Sequence, residues 1–519
     1  MSKQVKRVVI VGGGSAGWLT AGVIAADHRN AALPGLELTL VESPSVSPIG
    51  VGEGTWPSMR DTLRRIGVSE TDFIRDCDAS FKQGSKFAGW VSGDAADHYY
   101  HPFTLPQGYT ETNLVAAWQR DHGAVPYAEL VSYQPQLCER GCAPKQVSTP
   151  EYAAVANYAY HLDAGKFGQF LQRHCTGQLG VRHVVDHVTA IESEDNGDIT
   201  ALVTAAHGRV EGDLFIDCTG FASLLLGEHY GIPLVSVRDV LFNDSALALQ
   251  VPYGDPDAPI ASHTIATAAP AGWIWDIGLQ TRRGVGHVYS SAHTSDTEAE
   301  RILRDYVAGS ADPKAAAALT PRKLSFQPGY RQTFWHRNCV AVGLAAGFVE
   351  PLEASALALV EFSAAMISDQ LPATRTTMDI VAARFNEAFH YRWERAVDFL
   401  KLHYVLSRRS DSAYWLDHRA AATVPPRLAE LLALWRHQPP SRYDFFRIEE
   451  IFPSASYHYV LYGMGFQPEQ PPVAQRADRA PLAERFFREA AALTRTMLAG
   501  LPTNRALLNH LKSYRLQRI

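Results

Sequence analysis

Two lysines, Lys82 and Lys86, stand either side of Gly84 in SFKQGSKF, between Phe81 and Phe87. A lysine drawn into an apolar setting loses part of its preference for the charged form, and its neutral amine becomes reactive. On a strand the two would share one face, and the sequence does not choose between them or exclude plain solvated charges. Glu353, in PLEAS, offers a carboxylate that could stabilise a cation or take a proton. It could equally be an acid that favours a helix N-terminus. Trp273 and Trp275, two apart in GWIWDIGLQ, would place two indoles on one side of a strand, with Ile274 and Asp276 behind. Core packing explains such a pair as readily as a functional wall does.

The elements that must position these groups begin at the N-terminus. Val8 to Val11 is a short β-branched run suited to a buried parallel strand. Gly12, Gly14 and Gly17 follow as G-x-G-x-x-G where a helix begins. ELTLVE (37–42) then closes a βαβ unit. In this pattern Gly12 permits the turn, Gly14 admits a pyrophosphate to the backbone and Gly17 lets helix and strand pack closely. The helix N-terminus supplies free N–H groups for the phosphates. Glu42, ending the second strand, is placed to accept a ribose hydroxyl, which favours FAD or NAD over NADP. Two further segments decide between those. GDLFIDCTG (212–220) is a buried strand ending in Asp217, Thr219 and Gly220. RNCVAVGLAAGFVEPLEASA (337–356) is a strand, Gly343, small residues and a helix start. Three such segments resemble the FAD-binding pattern of flavoprotein monooxygenases, and a single-motif NAD dehydrogenase would not need the last two.

Other strand-like runs are VRHVVDHVTAIES (181–193), GDITALVTAAHGRV (197–210) and CVAVGL (339–344), and helical patterns dominate from about Thr376. Pro-rich breaks fall at 424–426, 438–440 and 470–472. The expected fold class is α/β: a Rossmann-like FAD-binding core of the glutathione-reductase or monooxygenase type. It carries an additional sheet and discontinuous subdomains over 1–375, and a C-terminal helical region over 376–519 completes a substrate pocket.

The net charge of −6 over 519 residues gives no general attraction to nucleic acid or anionic membrane. Six scattered cysteines read as reduced, mostly buried thiols, and no spacing completes a metal site. The apolar start breaks at once into glycines and no run approaches 18 apolar residues, so a cytoplasmic protein is expected.

With these residues placed, the chain resembles the flavin-dependent tryptophan halogenases. PIGVGEGTWPS (48–58) is similar to that family's flavin-contacting strap and FKQGSKFAGW (81–90) to its catalytic-lysine segment. HYYHPF (98–103), FVEPLEASA (348–356), LKLHYVLSRRSDSAYW (400–415) and LPTN (501–504) also match. GWIWDI is similar to the Trp-x-Trp-x-Ile-Pro hallmark, with Gly278 where proline is usual. The resemblance implies that reduced FAD, O2 and chloride or bromide give hypohalous acid. This passes through a tunnel to Lys82, which hydrogen-bonds it or becomes a haloamine and halogenates an electron-rich aromatic. It implies Glu353 as the second catalytic residue, with Glu350 structural. Halide would sit at the backbone N–H groups of Ser355 and Ala356, where Thr-Gly is common in the family. His101 and Phe103 would line the substrate pocket, and Trp273 and Trp275 would wall the flavin region. FAD contacts are expected from Gly12, Gly14, Ser15, Ala16, Gly17, Glu42, Ser43, Gly54, Val188, Leu344 and Leu357. No segment reads as an NAD(P)H site, so a separate flavin reductase is the expected partner.

The resemblance thins at 441–460. Members that take free tryptophan carry a Tyr-Tyr-Glu run there to hold its ammonium and carboxylate. This chain has Phe445-Phe446 and Glu449-Glu450 in a shorter stretch. An indole or other less polar arene is therefore the expected substrate, with indole C3 the expected position. An FAD-dependent aromatic hydroxylase shares the three FAD segments but needs neither Lys82, Glu353 nor the paired tryptophans. A non-catalytic FAD-binding protein is the third reading.

Overall fold

The computed structural model describes residues 3–28, 35–46, 52–94, 96–310, 318–445, 447, 450–469 and 479–518. Contacts divide the chain into two compact units, each drawn from three stretches: 1–79, 162–237 and 326–393 in the first, 80–161, 238–325 and 394–519 in the second.

The first unit is built on a six-stranded sheet. Its order is Trp335–His336, Cys339–Ala341, Leu214–Asp217, Arg7–Val11, Glu37–Glu42, Arg182–Val185. All neighbours are parallel except the Trp335–His336 edge. Val8 to Val11 are buried, as a strand covered on both faces requires. Helix Ser15–His28 is apolar nearly all round, because it packs between helices Ser355–Asp369 and Ala164–Gly177.

Two expected strands prove to be pairs. Residues 181–193 split into Arg182–Val185 and Val188–Ser193, which belong to different sheets. Asp186 makes the break, its carboxylate accepting the backbone N–H groups of His187, Ala206 and His207 at 2.8 Å each. Residues 197–210 form a hairpin, Ile199–Thr204 with Gly208–Glu211.

The second unit carries a seven-stranded sheet in the order Arg322–Ser325, Ser245–Pro252, Arg282–Tyr289, Gly272–Gly278, Thr264–Ala269, Gly84–Ala88, His98–Pro102. Leu247, Leu249, Ile274 and Val285 on one face meet Ala299, Leu303 and Val307 of helix Asp296–Ala308. The long helix Arg375–Val405 gives its last residues to this unit, and Ala413–His418, Pro426–Trp435, Ser454–Gly463, Ala480–Gly500 and Asn504–Ser513 follow. All six cysteines are buried and unbridged. Among the described residues no helix is long and apolar enough to cross a membrane.

Candidate functional site

In the first unit the glycine turn has the geometry its sequence implies. Gly12 has φ +113°, and a Cβ there would lie 2.2 Å from the Cys218 carbonyl oxygen. A Cβ at Gly17 would lie 1.9 Å from the Gly12 oxygen. At Gly14 it would meet nothing within 4 Å, the open approach a pyrophosphate needs. Gly13 is equally constrained, since a Cβ would strike the Glu42 side chain at 2.0 Å. The residues therefore fit a dinucleotide. Glu42 is steadied by His183, whose Nε2 lies 2.9 Å from its Oε2. That partner comes from the neighbouring parallel strand and has no signature near Glu42 in the chain.

Ser43 Oγ lies 3.2 Å from His187 Nδ1, and Ser15 Oγ donates to the Ala164 carbonyl at 3.3 Å. Ala16 packs under Gly343, whose Cβ would come within 2.8 Å of its methyl. Leu344 and Val188 are half-buried, Leu357 is buried, and Gly54 ends the short strand Gly52–Gly54. Residues 48–51 of the strap-like segment lie outside the described residues. Asp217 is a hub. Its carboxylate accepts Thr219 Oγ1 at 2.6 Å and the N–H groups of Leu225 and Leu226 at 2.9 Å, shaping the turn after the second segment.

Glu353 is 4% exposed and precedes helix Ser355–Asp369. Its carbonyl accepts the Trp56 indole N–H at 2.7 Å. Ala354 then takes the left-handed conformation, φ 55°, costly for a residue with a Cβ. No side chain caps the helix that follows, so Ser355 and Ala356 begin it with N–H groups unclaimed by any cap. Two acids here were not anticipated. Glu53, half-buried, is pushed up to about 7 by removal from water. Glu361, two turns into the helix, is pushed up to about 8 by burial.

In the second unit the two lysines do not share a strand. Ser80–Lys82 pairs with the strand beginning at Ala159, whereas Gly84–Ala88 joins the seven-stranded sheet. Gln83 forces the break by donating its N–H to the Ser262 carbonyl at 2.7 Å and its carboxamide to the Cys142 carbonyl at 2.8 Å. Gly84 must follow without a Cβ, which would sit 2.6 Å from the His101 oxygen. The lysines consequently differ in kind. Lys86 pairs with Glu139 at 2.5 Å, a partner it shares with the Tyr100 hydroxyl. Lys82 is 1% exposed, its Nζ 5.3 Å from the centroid of the Phe103 ring. Phe81, beside it, is sealed against Tyr158 and Tyr160, and Asn504, from the LPTN motif, donates to the Phe81 carbonyl at 3.1 Å. Buried His161 is held well below the usual histidine value by burial first and by the Lys82 charge second. It is neutral, hydrogen-bonded through Nε2 to Thr264.

His101 is buried beside Phe399 and Tyr459, at 5.7 and 6.2 Å between centroids. Phe103 is half-buried, its carbonyl accepting from Asn157.

Trp273 and Trp275 are buried edge to face at 6.4 Å, on the sheet face opposite Ile274 and Asp276. Gly286 on the next strand makes room, since a Cβ there would lie 2.1 Å from the Trp275 ring. Gly286→Ala is therefore expected to cost about 1–3 kcal/mol through overpacking. A chemical-denaturation midpoint equal to the parent's would refute that fit. Gly278 is equally confined. A Cβ would come within 3.0 Å of Ile260 and 3.1 Å of the Tyr253 hydroxyl, so the proline usual in the related motif would need both to move.

A family model described as tryptophan halogenase matches residues 7–479. The tryptophan 6-halogenase SttH of Streptomyces toxytricini is 34% identical over 97% of each chain. Among solved structures, a tryptophan halogenase from Shewanella frigidimarina superposes with a TM-score of 0.96 at 50% identity, covering 100% of this chain and 99% of that one. BrvH, a flavin-dependent halogenase from Brevundimonas, gives 0.85 at 33% identity, over 98% and 99%.

Proposed function

The chain belongs to the tryptophan halogenase family, a family of flavin-dependent enzymes, and from that premise we propose that it halogenates an electron-rich arene, an indole rather than free tryptophan, through Lys82. Reduced FAD, when bound, supplies with O2 the two-electron oxidation that turns halide and a proton into hypohalous acid and water. Gly12, Gly14, Gly17, Glu42 and the contacts around them hold it, and a separate flavin reductase delivers it. The uncapped N–H groups of Ser355 and Ala356 hold the halide. Lys82 Nζ takes the hypohalous acid, by hydrogen bond or as a haloamine, and presents its halogen to the ring. The arene forms the carbon–halogen bond, its proton leaves to Glu353, and water carries off the oxygen. Phe103 and His101 hold the ring by its face and edge.

The observation that carries this reading is the separation of the two lysines. Lys86 is neutralised by Glu139, while Lys82 is withdrawn from water against an aromatic ring.

The preference for an indole is supported by how charge is placed among the described residues of 441–463. A buried zwitterion needs paired partners. Within this stretch, the Asp444 carboxylate already accepts the Trp435 indole N–H at 3.0 Å and the Ser441 N–H at 2.8 Å; just outside it, Asp398 is taken by Arg395 at 2.9 Å and by Arg427 at 3.3 Å. His458 is neutral, pushed down to about 4 by burial, and Tyr443 points to solvent. Residues 446, 448 and 449 lie outside the described residues. Mass spectrometry of reactions with indole, substituted indoles, phenols and free tryptophan, with chloride or bromide and a supplied reductase, tests this. Indole turnover is expected to exceed that of tryptophan by at least about tenfold, one missing charge pair being enough. Efficient halogenation of free tryptophan at one ring position would overturn the substrate assignment. Hydroxylated product would overturn the reaction.

A further inference from the structure

We propose that Glu361 is a positioning residue that grips the Ser58 and Thr62 hydroxyls, clamps helix Ser58–Arg65 to helix Ser355–Asp369, and so fixes the Glu353 turn and the amides of Ser355 and Ala356. This deepens the reading of that turn as the halide end and rests on it. Glu361 is 4% exposed in a helix otherwise apolar through its middle, SALALVEFSAAMIS. No cation pairs with it among the described residues. Its partners are Ser58 Oγ, donating to Oε1 at 3.1 Å, and Thr62 Oγ1, donating to Oε2 at 2.5 Å. Those hydroxyls lie four residues apart, on one face of their helix, so one carboxyl engages both and locks rotation as well as distance.

A second tie lies two turns upstream. Trp56, just before the Ser58 helix, donates its indole N–H to the Glu353 carbonyl, and its ring meets Phe362 edge to face at 6.5 Å. Between the ties sits Ala354 in its left-handed conformation, which persists only where the surroundings over-determine it. The clamp supplies that constraint.

A buried carboxyl without a cation is held neutral, and burial accordingly pushes Glu361 up to about 8. The Ser58 and Thr62 hydroxyls offset this in part and Asp61 adds to it. The other charges near these helices are engaged elsewhere. Asp61 pairs with Arg64, Arg65 bridges Asp27 and Asp369, and the Arg60 Nε reaches the Pro57 carbonyl. His28 contacts the Ser368 carbonyl, and Arg392 lies over the Phe362 ring. Since the folded value lies above the ordinary carboxylate value, the packing around Glu361 is most stable where the carboxyl is neutral and loses stability as pH rises through about 8, the cost of burying the charge outweighing the hydroxyl bonds that favour it.

Parent, Glu361→Gln and Glu361→Ala are compared by amide hydrogen exchange over residues 55–65. Indole bromination with a supplied reductase is measured alongside, from about pH 6.5 to about 9. Glu361→Ala is expected to lower protection of 55–65 by at least about tenfold and to raise the KM for bromide more than it lowers kcat. Glu361→Gln, a neutral isostere that can still bond both hydroxyls, is expected to stay within about twofold of the parent near pH 7 and to lack the parent's loss above pH 8. If Glu361→Ala does not fold, Ser58→Ala combined with Thr62→Val removes the grip and keeps the carboxyl, with the same expected loss. Unchanged protection in the alanine or double variant overturns the clamp, as does a glutamine variant no better than the alanine one. A parent that halogenates no arene overturns the functional reading instead, and the exchange data still decide the clamp.

Discussion

Lys82→Ala is expected to lower arene halogenation by about a thousandfold, the scale of a positioned reacting group, while FAD binding and consumption of reduced FAD stay at parent levels. The reason lies in where the side chain ends. Lys82 is 1% exposed on a three-residue strand, and Asn504 pins the neighbouring Phe81 carbonyl. Two other lysines of its unit are engaged elsewhere. Lys86 belongs to Glu139, and Lys145 is committed to the Pro150 carbonyl and the Tyr158 hydroxyl. Truncation also leaves His161 without its neighbouring charge, so this histidine should titrate higher in the variant, although burial still holds it below the ordinary value. Lys82→Met, which keeps volume and loses the amine, separates chemistry from packing. It should match the alanine variant in rate and the parent in denaturation midpoint. Lys86→Met serves as the control and should reduce rate by less than about tenfold, since an exposed pair is worth little. The measurements are product by mass spectrometry and hypohalous acid trapped by a small β-diketone. Product at parent levels in either Lys82 variant would end the assignment. Trapping that collapses along with product would place the lysine's effect upstream of halogen transfer.

What could be read from the chain, and what could not, divides along the range of the interactions. The glycine turn was legible because its constraints are local. Gly17 is small because of the Gly12 oxygen five residues back, Gly12 takes a φ of +113° in the turn itself, and the strand before them is a continuous β-branched run; only the Cys218 carbonyl that also crowds Gly12 comes from far along the chain. The lysine pair was only half legible. Five residues spaced like a strand cannot reveal that Gln83 hydrogen-bonds to Ser262 and Cys142, residues far along the chain, and thereby turns one strand into two. The long run 181–193 failed for the same kind of reason, a buried Asp186 that gathers backbone N–H groups from a turn twenty residues on. His183 beside Glu42 needs the parallel register of two strands to be known first. Glu361 did leave a signal. A single acid inside an apolar helical run is costly unless something receives it, and asking what does so leads to Ser58 and Thr62.

Gly17→Ala and Gly14→Ala are expected to fail in opposite ways, and the contrast tests whether the glycine turn holds a dinucleotide at all. At Gly17 a methyl group would sit 1.9 Å from the Gly12 oxygen. Helix Ser15–His28 would have to lift off the strand beneath it, losing burial along Trp18, Leu19 and Ala21. The cost should reach about 3 kcal/mol or more, read as a lowered denaturation midpoint or as insoluble protein, with or without FAD. At Gly14 the methyl meets nothing within 4 Å, and Gly14 needs no left-handed backbone. The fold should lose no more than about 1 kcal/mol, the scale of a changed helix cap. The space it would occupy is the space a pyrophosphate needs, so FAD affinity by fluorescence quenching should fall by at least about tenfold, or about 1.4 kcal/mol. Both forms of FAD should be affected alike, since the pyrophosphate is the same in each. A purely structural turn predicts the other pattern: a Gly14 variant that binds FAD as the parent does. In that case Gly14 would have no part in cofactor recognition, and the open space above it would belong to no ligand.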